Sequence, residues 1–199
     1  MSSAPTSDQP PLAKLPSNRL PIFGLLTAGM LALDLWSKAW AFEKFGLQNG
    51  SEWMINQPWI RFRWFTSLNF GALWGMGQGF ALGFAALSVV AFAGIIYWLF
   101  IRKAAISLWL TISMSLVAGG TLGNLYDRLG LHGVTLPAAK NPAQAVRDFF
   151  HFQFGSFDWA IFNVADVCLV TGAIMLMVHS FTMTDESEAE PAAKPTPAA

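Results

Sequence analysis

The stretch WAIFNVADVCLVTGAIMLMVHSFT, residues 159–182, carries a single formal charge, Asp166, and no charge follows it until Asp185. A run of roughly 20 apolar residues is what an α-helix needs to cross the hydrocarbon core of a bilayer. Three more such windows lie upstream. No charged residue occurs between Arg63 and Arg102, or between Lys103 and Asp127, and the stretch before Glu43 holds only Asp34 and Lys38 in an otherwise apolar segment. These gaps place spans at about 21–42, 81–101, 104–125 and 159–182. A helix satisfies its own backbone hydrogen bonds, which lipid cannot do, and the period-2 alternation of a membrane barrel is missing.

The composition agrees. Of the 199 residues, 54% are apolar and 12% charged, about half the charged share of a soluble domain. Mean hydropathy is +0.44. Twelve basic and twelve acidic residues give zero net charge, which disfavours a nucleic-acid binder. The lone Cys168 excludes an intrachain disulfide framework and a cysteine-rich metal site.

Between the spans the chain changes character. In WIRFRWF, 59–65, polar and apolar residues alternate, which predicts a short strand at the membrane interface. A glycine-rich segment after Asn69, with Gly71, Gly75, Gly77 and Gly79, leads into the second span as an interfacial stretch. Residues 129–158 form a second extramembrane segment, loop-like around Pro137, Asn141 and Pro142. The expected architecture is therefore an all-α integral membrane domain over residues 20–182, with four helices, a small β-like cradle outside the membrane and an interfacial segment. Residues 1–19 and 183–199 read as disordered extensions. The first apolar segment reads as a retained span, since it is long and contains Asp34 and Lys38. Four spans put both termini on one side with the basic Arg102–Lys103 turn, which reads as cytoplasmic.

Topology brings the polar residues of the spans to the opposite end. A charge near the centre of a span costs about 2.5–3.5 kcal/mol on insertion scales, so each retained one calls for a reason. Asp34 and Lys38, one turn apart, read equally as an ion pair or as site residues. Asn124 and Asn163 read equally as interhelical hydrogen-bond partners. Asp127 reads as the end of a helix at the interface, and Asp158 as a solvated residue or the N-cap of span four. Gly119, Gly120 and Gly123 suit close helix packing, and Cys168 suits packing. Counting from Trp159, Asp166 falls about 10 Å down its helix, with no cation beside it in the same span. Two carboxyl groups at one site can share a proton, one taking a proton from water and the other giving one. That is aspartyl peptide hydrolysis, which needs no metal or cofactor. His132, His151 and His179 lack zinc-protease spacing, and no GxSxG occurs. An ion path through a small transporter is the competing reading, and a non-enzymatic assembly factor a third.

Five ordered blocks go further: DLWSK at 34–38, NFGALWG at 69–75, GGTLGNLYDR at 119–128, VRDFF at 146–150 and FNVAD at 162–166. With them the sequence resembles the bacterial lipoprotein signal peptidases, or signal peptidase II, over about residues 20–182. The resemblance implies a monomeric aspartyl endopeptidase of the inner membrane that removes the signal peptide of a diacylglyceryl-modified prolipoprotein just before the lipidated cysteine. It implies that Asp148 and Asp166 are the catalytic pair and that Asp127 is not a member. It implies that Asp34, Lys38, Asn69, Gly71, Gly120, Asn124, Arg128, Asn163 and Ala165 shape the site or hold substrate. Its partners would be that substrate and membrane lipid, with no nucleic acid. The Leu73–Trp74 pair, His151 after DFF and a 129–147 segment about a dozen residues longer than usual depart from the family pattern.

Overall fold

The structure is a computed structural model that describes residues 14–71 and 76–188. The first 13 residues, residues 72–75 with the Leu73–Trp74 pair, and the tail from residue 189 lie outside the described residues. The element order is α1 (Arg19–Phe45), β1 (Ile55–Asn56), β2 (Arg61–Asn69), α2 (Ala81–Ile96), α3 (Leu108–Arg128), β3 (Val146–Phe154), β4 (Phe157–Asp158) and α4 (Val164–Glu188). Four helical segments are long and apolar enough to cross a membrane: Arg19–Phe45, Ala81–Ile101, Leu108–Arg128 and Val164–Thr182. The four-span reading and the small sheet are both present.

α3 sits centrally and packs against α1, α2 and α4. Its small residues make this possible. A side chain at Gly119 would meet the Thr27 carbonyl of α1, and one at Gly120 would meet the Ala165 carbonyl of α4. Close backbone approach is how helices gain packing energy where lipid removes the hydrophobic drive between them. The buried hydroxyls of Thr111, Ser113 and Ser115 donate to carbonyls of their own helix or its lead-in, so they leave no orphan donor in the apolar interior.

Helix ends follow recognisable signals. Gly46, at φ 77°, ends α1 with its N–H on the Phe42 carbonyl at 3.0 Å. α2 continues as a π-helical turn, Tyr97–Ile101, into the tight Arg102–Lys103 turn. The third span was expected from 104. Residues Ala104–Ile106 instead form a separate 3-10 turn, and α3 starts after Ser107, whose hydroxyl accepts the Leu110 N–H.

The sheet is antiparallel in the order β1-β2-β3-β4. β2 pairs with β3 through Arg61↔Gln153, Ser67↔Asp148 and Asn69↔Val146, with an irregularity between Trp64 and Ser67. There Thr66 turns away to the loop after α1, donating its N–H to the Asn49 carbonyl. β3, in the second extramembrane segment beyond the loop-like Pro137–Pro142 region, is a nine-residue strand. One sheet face is a slab of rings. Trp64 packs on Trp40 of α1 at 5.1 Å and on Phe150 at 5.4 Å, and Phe62 packs on Phe152 at 4.7 Å. Offset and edge-on ring pairs of this kind add about 0.5–1.5 kcal/mol each beyond burial.

The expected start of span four needs correction. α4 starts at Val164, because residues 157–162 are used by the sheet: Phe157 and Asp158 pair with β3, and Phe162 exchanges backbone hydrogen bonds with Phe150. Asp158 is therefore an exposed strand residue bonded to His151 Nε2 at 2.8 Å, solvated as one of its two readings had it and not a helix cap. In the longer 129–147 segment, Val134 and Leu136 pack with Leu68, Ala143 and Ala145. At the other end the membrane-crossing length of α4 stops at Thr182, and residues 183–188, expected in the disordered tail, continue the helix.

Candidate active site

Where the sheet meets the helix ends, the structure brings all eleven residues singled out in the sequence to one end of the bundle. The organising feature is the start of α4. Asn163 Oδ1 accepts the Asp166 N–H at 3.0 Å, while Asp166 Oδ2 accepts the Asn163 N–H at 3.2 Å. This reciprocal pair is a capping box, in which each side chain satisfies a backbone donor left open by the helix end. Asp166 is thus a first-turn residue, not one buried two turns down, and it is only partly buried. The sequence had no way to show that the apolar run 159–162 belongs to the sheet.

Asn163 also reaches Asp148. Its Nδ2 donates to Asp148 Oδ1 at 2.6 Å, and lies 3.3 Å from Asn124 Oδ1. Asn124 in turn donates from Nδ2 to Asp166 Oδ1 at 2.9 Å. Two asparagines therefore hold two carboxyl groups from separate stretches of chain. Asp148 is 2% exposed. Burial first, and the Asp166 charge second, push the Asp148 carboxyl well above the ordinary carboxylate range, against the opposing pull of Asn163, Lys38 and Asn69.

Behind the pair lies a chain of buried charges. Lys38 Nζ donates to Asp34 Oδ2 at 2.7 Å and to Asn124 Oδ1 at 3.0 Å, and stands 3.3 Å from Asp127 Oδ2. Asp34 Oδ1 accepts the Ala165 N–H at 2.8 Å, so the first turn of α4 points a free donor at an acid of α1. Gly123 leaves room for this: a Cβ there would run into the Asp34 carboxylate. Lys38, Asp34 and Asp127 are all 0% exposed. Asp127, read as an interface residue, is in fact a buried hub. Its partner Arg147 was not singled out. A cation directly before a motif acid, in so charge-poor a chain, was the available signal.

Asp148 and Asp166 line the same cavity, of about 930 Å³, with Asn69, Gly71, Asn124 and Arg128 at its polar end. Gly71 donates its N–H to Asn69 Oδ1 at 3.0 Å. Arg128 lies over the Phe84 ring at 5.1 Å and faces the charges of Asp166 and Asp148. The remaining wall is apolar and runs along the helices, through Leu87, Ala91, Leu169 and Val170. Phe152, Phe154 and Trp159, which sequence reasoning did not place at the site, form the sheet side of its mouth. Cys168 is a buried free thiol.

Fold and site together define a four-span membrane protein with two carboxyl groups at the polar end of an otherwise apolar cavity. The chain belongs to the signal peptidase II family, whose model matches residues 26–182. It is 46% identical over 183 residues to the lipoprotein signal peptidase of Rhodopirellula baltica, covering 89% of this chain and 78% of the relative. It is 34% identical to that of Geobacillus thermodenitrificans, covering 82% and 91%. A solved bacterial membrane enzyme, determined at 2.3 Å, shares the fold with a TM-score of 0.70 at 21% identity, over 87% of this chain and 95% of that one.

Proposed function

We propose that the chain is an aspartyl endopeptidase that removes the signal peptide from diacylglyceryl-modified prolipoproteins, cutting just before the lipidated cysteine. The observation that carries this reading is that Asp148 and Asp166 line one cavity and are joined through Asn163. In this mechanism a water molecule sits between the two carboxyl groups. Asp148, whose surroundings favour the protonated form, donates its proton to the scissile carbonyl oxygen. Asp166, ionised, takes a proton from the water as its oxygen attacks the carbonyl carbon. The resulting gem-diol intermediate collapses when Asp166 passes its proton to the leaving amine, and one of the two hydroxyls returns a proton to Asp148 as the carbonyl re-forms.

The apolar wall between α2, α3 and α4 suits a hydrophobic signal helix, while the acyl chains of the substrate stay in lipid. Asn69, Gly71 and Arg128 border the polar end of the cavity, where they bind the substrate backbone. Asp34, Lys38, Gly120, Asn124, Asn163 and Ala165 hold the catalytic groups in place. The enzyme works as a monomer, its domain spanning residues 20–182, with both termini in the cytoplasm and the site near the outer face of the inner membrane. The test is cleavage of a lipidated precursor by the purified protein. Asp148→Asn and Asp166→Asn should each abolish cutting while the variants stay folded. Near-normal turnover in both would overturn the assignment.

A further inference from the structure

Asp127, in the last turn of α3, receives three hydrogen bonds from one residue. Its Oδ2 accepts the Arg147 backbone N–H at 2.9 Å, and its Oδ1 accepts Arg147 Nε at 3.1 Å and Nη2 at 2.9 Å. Arg147 is 5% exposed and directly precedes Asp148 on β3. Successive strand residues point to opposite faces. Arg147 is thus fastened to α3 while Asp148 is held by Asn163 at the start of α4.

The same contact also settles how Lys38 is used. Two buried acids, Asp34 and Asp127, compete for that one ammonium group. Arg147 supplies Asp127 with a second cation. Lys38 can then keep its bond to Asn124, which in turn holds Asp166. Arg147 therefore reaches both carboxyl groups: Asp148 through the backbone, and Asp166 through Asp127, Lys38 and Asn124.

Resting on the reading of Asp148 and Asp166 as the catalytic pair, we propose that Arg147 is a positioning residue of the reaction, whose fork onto Asp127 sets the spacing and orientation of the pair. It does not touch substrate. A lysine at 147 would keep the charge and lose the fork, whereas a methionine would lose both.

The test uses the full chain in detergent micelles with a diacylglyceryl-modified precursor peptide, comparing wild type, Arg147→Lys and Arg147→Met. Both variants should lower kcat by about 10- to 100-fold, the cost of small misplacement at a reacting centre, with KM within about twofold. The pH profile separates positioning from scaffolding. The pair is faced by Asp34 and Lys38 of α1 and by Asp127 and Arg128 of α3, with Arg147 behind Asp127. Without Arg147, Asp127 draws on Lys38, whose charge holds the Asp148 carboxyl down, so the limb carried by Asp148 in Arg147→Met should move to higher pH, whereas Arg147→Lys should leave it in place. If Arg147→Lys keeps wild-type kcat, or if Arg147→Met melts earlier with kcat and that limb unchanged, the inference is wrong. Should Arg147→Met not fold, kcat of Arg147→Lys decides alone. Retained turnover in Asp148→Asn and Asp166→Asn would instead count against the catalytic pair.

Discussion

Asn163 and Asp166 bond each other twice across the first turn of α4, side chain to backbone in both directions, at 3.0 and 3.2 Å. The helix that carries one carboxyl group is thus started by the residue that orients the other. Local helix chemistry and site geometry become the same contact. Capping boxes elsewhere only stabilise a helix; here the second amide hydrogen-bonding group of the cap extends to Asp148.

That dual use predicts separable effects at position 163. Asn163→Ala loses the cap and the bridge, and should cost about 1 kcal/mol of stability for the cap alone. Asn163→Asp keeps an oxygen for the Asp166 N–H but turns the donor facing Asp148 into an acceptor. It should melt closer to wild type than the alanine variant, yet cleave at least about 100-fold more slowly. Thermal unfolding together with a cleavage assay checks both, and an active Asn163→Asp would show that the bridge is dispensable.

The raised pKa of Asp148 has a stability consequence with a definite sign. Its folded value lies well above the ordinary carboxylate value of 3.8. The contribution is therefore fully present below about pH 3.8 and is lost as pH rises through the folded value, because ionising a buried carboxyl beside Asp166 is unfavourable. Asp148→Asn removes the titration. The variant should melt higher than wild type at pH 8, and the difference should shrink as pH falls toward 4. A constant difference across that range would mean that Asp148 carries no such penalty.

His132 gives a dependence in the opposite direction. Burial first pushes its imidazole below the ordinary 6.5, and its Nδ1 accepts the Val134 N–H at 2.9 Å, as the neutral ring does. An imidazole with a lowered folded pKa stabilises the fold above about pH 6.5, and that contribution is lost as pH falls toward the folded value. Acidification from pH 7 to 5 should loosen the 129–145 segment before the helices. Hydrogen exchange at the Val134 and Ala143 amides would report it, and His132→Gln should flatten the change.

The sequence made the bundle readable because lipid penalises charge so heavily that uncharged runs mark spans directly. The gap between Lys103 and Asp127 gave the third span to within a few residues. Strand β3 was less readable. In VRDFFHFQF the rings break the alternation of a strand: Phe149, 1% exposed, stacks on Trp64 at 6.0 Å and lies 4.5 Å from the ring of its neighbour Phe150. The depth of Asp166 was misjudged for a related reason: residues 159–162 are as apolar as a span but make sheet contacts. Asp127 was misjudged because its partner lies 20 residues away, across a loop. The aspartates at 148 and 166 were visible as candidates, but no local pattern ranked Asp148 above Asp127; the ordered family blocks did.

The buried charges behind the site make the last prediction. Lys38 is fully buried between Asp34 and Asp127, and both acids have a second partner, the Ala165 N–H for Asp34 and Arg147 for Asp127. Lys38→Met removes the cation but leaves two acids facing each other in a site without water access to spread their charge. Breaking one side of such an arrangement costs about 3–5 kcal/mol, far more than an exposed pair would. Replacing Asp34 together with Lys38, as Asp34→Leu/Lys38→Met, removes both charges and should recover more than half of that loss in thermal stability. Cleavage should stay low, because the Ala165 N–H has lost its acceptor and Asn124 Oδ1 has lost the Lys38 ammonium, keeping only Asn163 Nδ2 at 3.3 Å. A double variant as unstable as Lys38→Met would place the destabilisation in packing rather than in unpaired charge.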